Sequence, residues 1–353
     1  MGRSKAFVSC RGGGGKSTTV AQLGAALASA RPDLTVIIID ASLHADATHA
    51  LVGGMQEPAA EARAATCRGE EIRKAHSARS TAALLKALSA PPPPSSPWLR
   101  LTGGGARGGG RPTAWEDFWL SPAEVHPDGA APANLRVVAG GANLKDVTSD
   151  EAGRARTALS ALMASSPDTH VFLLDTDAEL AERPASSAAA GAAAELAVVL
   201  SSNWSDALRA FRDPINGVTE ALKSLPEPSI SRVVFARVAK HRNGVSSLSG
   251  ADVLGFKPVA AAATNMEAIL SYVHERAQVD SDLAPFFRGA DGADVSAFAE
   301  NAVLAVPDLP ETVIAHSVLY GAPVVSMAPG GGVSADALAA AQEALRFAAA
   351  RLF

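Results

Sequence analysis

The chain has 353 residues, with 36 acidic and 31 basic side chains, a formal net charge of −5 and 48% apolar residues. That is enough for a sizeable core, and the slightly acidic balance excludes a global basic field, so any contact with nucleic acid needs a local patch. The two cysteines, Cys10 and Cys67, have neither Cys-x-x-Cys spacing nor a companion histidine cluster, which argues against a disulfide framework and against a zinc or iron–sulfur motif. Strand signal begins within the first ten residues and no apolar run reaches transmembrane length, so a soluble protein of a reducing cytoplasm is expected.

The first element is the apolar run Ala6-Phe7-Val8, followed by Arg11-Gly12-Gly13-Gly14-Gly15-Lys16-Ser17-Thr18 and a helix-like stretch from Thr19 to Leu27. Strand, glycine turn and helix in this order form a phosphate-binding loop. Glycines let successive backbone N–H groups curl around a polyphosphate. Lys16 adds a point charge for the β- and γ-phosphates, and Ser17 offers a hydroxyl to Mg²⁺. Thr18 and Thr19 open the helix whose positive end faces the anion.

Thr35–Asp40 reads as a buried strand ending in a carboxylate, with Ala41 to Thr48 after it. From about residue 89 to 133 a proline run and glycine runs interrupt the pattern. This segment reads as a surface insertion within one domain spanning 1–353. It carries the densest aromatic group of the chain, Trp115, Phe118 and Trp119, suited either to docking a partner or to packing the insertion back onto the domain. Leu135–Gly140 resumes strand character, and His170–Asp175 is an apolar run whose terminal carboxylate suits the Mg²⁺ water shell beside a phosphate.

Strands at 196–200, 231–236 and 302–307 follow, with helix-like stretches at 205–211 and 265–273. Such alternation implies an α/β fold, a doubly wound, mostly parallel sheet flanked by helices with its ligand at the carboxyl ends of the strands. Arg237, Lys240, His241 and Arg242 form a local basic group that could follow a phosphate backbone. Near the end, Leu338, Leu345 and Leu352 recur at a seven-residue spacing. Alanine fills most of the remainder, which favours a packed final helix over a membrane anchor.

The loop with a basic residue at position 11, the strand ending at Asp40 and the run ending at Asp175 together resemble the deviant phosphate loop of the ParA/MinD family of ATPases. The resemblance implies the P-loop NTPase fold, ATP and Mg²⁺ as cofactors, and an ATP-dependent homodimer in which the residue at position 11 reaches the partner's phosphates. It assigns Gly12–Thr18 to phosphate, Arg237 and Pro307 to the base, and Ser17, Asp40 and Asp175 to the metal. Arg11, Lys16 and Asp40 become the catalytic candidates. Three departures stand out: arginine replaces lysine at 11, Ser42 replaces an aspartate that helps orient the attacking water, and Asp177 stands where proline is usual.

The functional expectation is a ParA-like ATPase that positions or partitions a cargo, through nonspecific DNA and a cargo-bound adaptor protein. Ser42 and Asp177 keep open a nucleotide-dependent scaffold with weak or no hydrolysis. The final helix keeps open a MinD-like membrane-associated regulator.

Overall fold

The computed structural model describes residues 3–9, 12–52, 80–90, 115–125, 131–201 apart from 179, 229–238, 258–279, 303–310 and 322–353 apart from 330–332, with a few single positions between these spans. Seven strands form one sheet: β1 (Arg3–Val8), β2 (Thr35–Asp40), β3 (Leu135–Val138), β4 (His170–Asp175), β5 (Glu195–Ser201), β6 (Ser229–Val238) and β7 (Val303–Pro307). Their order is β3-β2-β4-β1-β5-β6-β7 and every pair is parallel. Strands covered on both faces need apolar residues at successive positions, which is why β2 reads Val-Ile-Ile-Ile and β4 reads Val-Phe-Leu-Leu.

Side chains alternate between two cores. Ile37, Ile39, Phe172 and Leu174 pack on one face, and Val36, Ile38, Val171 and Leu173 on the other. Each is fully buried, so each contributes about 1.5–3 kcal/mol of apolar burial. The first face is covered by α3 (Thr81–Ser89), α4 (Ser149–Ser165), α5 (Pro184–Ala192) and α6 (Ala260–Val279), the second by α1 (Lys16–Ala30), α2 (Asp46–Val52) and α7 (Ala335–Ala350). Helix α1 is apolar nearly all round because it lies between the sheet and α7. Gly24 permits that approach, since a Cβ there would sit 2.7 Å from Ile38 Cδ1.

Of the insertion, the described part folds back on the domain. Trp115 and Phe118 are buried in the first core, with the Trp115 ring 5.5 Å from Phe172 and 4.5 Å from Trp119. Leu120 exchanges two backbone hydrogen bonds with Val137, of 2.7 and 2.9 Å, and so covers the edge of β3.

The final helix packs as its leucine spacing suggests. Leu338, Leu345 and Leu352 are all buried in the second core. Beyond it, Lys5 of β1 donates to the Leu352 carbonyl at 2.6 Å, pairs with Glu195 at 3.0 Å and lies 4.8 Å from the Phe353 ring centre. The apolar face that a membrane anchor would need is spent inside the protein. Among the described residues no helix is long and apolar enough to cross a membrane.

Candidate nucleotide site

Because β1 lies between β4 and β5, the loop after it opens at the middle of the sheet's carboxyl edge. Gly13 and Gly15 have φ of 75° and 82°, the left-handed region that side chains resist. At Gly15 a Cβ would also come within 3.2 Å of the Arg237 side chain. Helix α1 begins at Lys16 with no side-chain cap and no acid in its first turn. Helices α3, α4 and α7 are instead capped by Ser80, Thr148 and Ser334. The orphan N–H groups and positive end of α1 are thus left for an anion.

Over the loop lies a cavity of about 1040 Å³, large enough for a nucleotide. Its walls include all of Gly12–Thr19, with Ser42 and Asp177 on one side and Arg237 and Pro307 on another. Lys16 Nζ donates to Asp175 Oδ1 at 2.7 Å and to the Thr176 carbonyl. Thr176 Oγ1 in turn donates to the Phe7 carbonyl at 2.7 Å, tying the end of β4 to β1. The loop, its lysine and the carboxylate of β4 therefore form one unit. Arg11 lies outside the described residues, as do Cys10, Cys67, Lys240, His241 and Arg242.

Asp40 differs from the sequence expectation. Register pairs it with Asp175 across β2 and β4, yet its side chain turns inward and it is not among the residues lining the cavity. Its Oδ1 accepts from the Ser42 N–H at 3.0 Å and the Ser42 hydroxyl at 2.7 Å; its Oδ2 accepts from the Thr48 N–H at 2.8 Å and hydroxyl at 2.7 Å. Four donors occupy the lone pairs of both oxygens. In this geometry Asp40 braces the segment between β2 and α2. Burial, and then the charge of Asp175, push its carboxyl up to about 6, while the donors from Ser42 and Thr48 oppose that rise.

Asp175 behaves otherwise. Its Oδ2 is buried without a hydrogen-bond partner, and such an atom is costly unless a further group satisfies it. On a carboxylate already paired with Lys16 of the phosphate loop, this oxygen fits Mg²⁺ or its water shell. Among the described residues no three His, Cys, Asp or Glu side chains cluster as metal ligands.

Arg237 and Pro307 also line the cavity, Arg237 with its side chain close against Gly15 of the loop. Arg237 has φ of 56°, unusual for a residue with a side chain, and its Nε meets Asp308 Oδ1 at 3.4 Å. Both partners of this ion pair are exposed, so it adds little stability.

Several residues of the site escaped sequence reasoning. Thr48 is fully buried, and its hydroxyl joins Asp40 to Gly140, whose N–H it accepts at 3.1 Å. Gln22 accepts from the Val324 N–H at 2.8 Å and donates to Ser317 at 3.1 Å, fixing α1 to the segment after β7. A glutamine inside so apolar a helix was the available signal. Asp177 accepts from the Leu43 N–H at 3.3 Å, and burial raises its carboxyl above the usual range.

A central phosphate loop in an all-parallel seven-stranded sheet, with its lysine on the carboxylate ending a neighbouring strand, is the fold of the ParA/MinD type of P-loop NTPases. The structure is similar to apo McdA of Cyanothece, with a TM-score of 0.51 at 16% identity over 91% of both chains. It is similar to a ParA family ATPase of Chlorobium tepidum, with a TM-score of 0.51 at 14% identity over 100% of both chains. A single-residue variant of Cyanothece McdA in complex with ATP matches with a TM-score of 0.50 at 15% identity, over 91% of this chain and 88% of that one. No family model and no curated protein matches the sequence.

Proposed function

We propose that the chain is a Mg²⁺-dependent ATP-binding protein of the ParA/MinD kind that associates as a dimer when ATP is bound and positions a cargo in the cytoplasm. One observation carries this reading: Gly12–Ser17 line a nucleotide-sized cavity, and Lys16 among them is held by the buried carboxylate of Asp175 behind it. The ATP-bound form of a similar structure supports ATP as the ligand. Gly12–Thr18 would cradle the phosphates, and Arg237 and Pro307 would flank the base. Ser17 and Asp175 would hold Mg²⁺, which when bound offsets the phosphate charge. Arg11 would supply a bidentate contact to the partner's phosphates in the dimer. Nonspecific DNA is the proposed surface, met through Arg237, Lys240 and Arg242, with a cargo-bound adaptor triggering release. Replacing those three by glutamine should flatten the salt dependence of DNA binding.

A second reading is a nucleotide-dependent scaffold with little hydrolysis. The observation favouring it is Ser42, which is buried with its hydroxyl committed to Asp40.

Light scattering after size exclusion, with ATP, ADP and no nucleotide, tests the reading. The expected result is a dimer with Mg²⁺–ATP alone. Lys16→Ala, which removes the only side-chain cation on the described loop, should abolish ATP binding in a titration. Near-normal ATP affinity in that variant, or one oligomeric state under all three conditions, refutes it.

A further inference from the structure

Resting on the ATPase reading, one carboxylate of the cavity wall has a use that the phosphates themselves cannot give it. Asp46, Asp177 and Asp308 are the acidic residues lining the cavity among those described. Asp308 is engaged by Arg237 beside Pro307. Asp177 instead follows directly on Asp175 and Thr176, the two residues that hold Lys16, so it belongs to the phosphate end.

The carboxylate there is held in place. Leu43 N–H lies 3.3 and 3.4 Å from its two oxygens, Ser186 Oγ lies 3.2 Å from Oδ2, and the Asp177 N–H donates to the same hydroxyl at 2.9 Å. Ser186 itself donates to the Ala41 carbonyl at 2.6 Å, so the start of the segment after β2 and the end of β4 are tied through one hydroxyl. A carboxylate fixed beside a polyphosphate repels it. Its favourable partners are a cation or a water with protons to donate, and lone pairs on both oxygens remain for the latter.

Ser42 does not do this. Ser42 is buried, carries no charge, and gives its hydroxyl proton to Asp40. We infer that Asp177 is a catalytic residue: it accepts a hydrogen bond from the water that attacks the γ-phosphate and aligns it with the bond to be broken. The water oxygen bonds to phosphorus as the bond from phosphorus to the bridging oxygen breaks. The electron pair of that bond stays on ADP, and the proton shed by water leaves with inorganic phosphate. Since the transition state is loose, alignment rather than early proton removal is what the carboxylate supplies.

The test compares wild type with Asp177→Asn, which keeps an oxygen for the Leu43 N–H but presents a donor to the water. It is read by ATP turnover, by affinity for ATP and for ADP, and by trapping with ADP and aluminium fluoride, which imitates the transferring phosphoryl group with its water. Expected are unchanged ATP and ADP affinities, a turnover lower by about 100-fold or more, and a comparable loss of trapping. An unaltered urea midpoint excludes a merely structural effect. Unchanged turnover and trapping in Asp177→Asn overturn the proposal alone, as does a wild type that binds ATP but neither turns it over nor is trapped. A wild type that binds no ATP overturns the ATPase reading as well.

Discussion

Thr48→Val is the cleanest test of how the segment after β2 is braced. Valine fills nearly the same volume, so the change removes the hydroxyl and little else. Two hydrogen bonds go with it: the 2.7 Å donation to Asp40 Oδ2 and the 3.1 Å acceptance from Gly140 N–H. The first is charge-assisted, costing about 1.5–3 kcal/mol, and the second leaves a backbone N–H unpaired at about 1–2 kcal/mol. The added methyl returns under ~1 kcal/mol, for a net loss of about 2–4 kcal/mol. Thr48→Ser keeps both bonds and loses one methyl, about 1 kcal/mol.

Urea unfolding followed by tryptophan fluorescence measures both variants. The pH dependence has a definite sign. The Thr48 hydroxyl favours the charged form of Asp40, whose carboxyl lies at about 6, so its removal raises that value further. The full deficit of Thr48→Val is therefore present only above both values, and it shrinks as pH falls from the variant's higher value to about 6, where the wild-type carboxyl also takes up its proton. A Thr48→Val midpoint equal to that of Thr48→Ser at both ends of this range refutes the bracing role.

Gly24→Ala weighs helix propensity against space. Alanine gains about 1 kcal/mol in a helix interior, but its Cβ would meet Ile38 Cδ1 at 2.7 Å and Leu173 Cδ1 at 3.2 Å between fully buried side chains, which costs about 1–3 kcal/mol. A lower thermal midpoint is expected, and a higher one would show that Ile38 swings aside. His170 packs edge-on against Trp115 and Trp119, and burial lowers its pKa below the usual 6.5. A base with a depressed folded pKa contributes stability that is complete above 6.5 and lost as pH falls below it. His170→Phe should remove that loss, so the urea-midpoint difference between variant and wild type should grow in the variant's favour from about pH 7.5 to about pH 5.5. A constant difference across the range contradicts it.

The sequence by itself determined the strands and the phosphate loop. Strand runs at 35–40 and 170–175 coincide with β2 and β4, because a strand buried on both faces needs consecutive apolar residues and the cause lies within the strand. The loop was legible for the same reason: left-handed turns at Gly13 and Gly15 and a helix starting at Lys16 are properties of adjacent residues. Tertiary structure alone decided which carboxylate does what. Asp40, Asp175 and Asp177 all stand at or just past the carboxyl end of a strand and read alike in the sequence. Asp40 is consumed by donors from Ser42 and Thr48, Asp175 keeps an unpartnered oxygen on the carboxylate that holds Lys16, and Asp177 accepts from the Leu43 N–H. The role of a charged group depends on how many donors surround it once β2 lies against β4 and α5 packs on β4 and β1, and those donors come from separate segments of the chain.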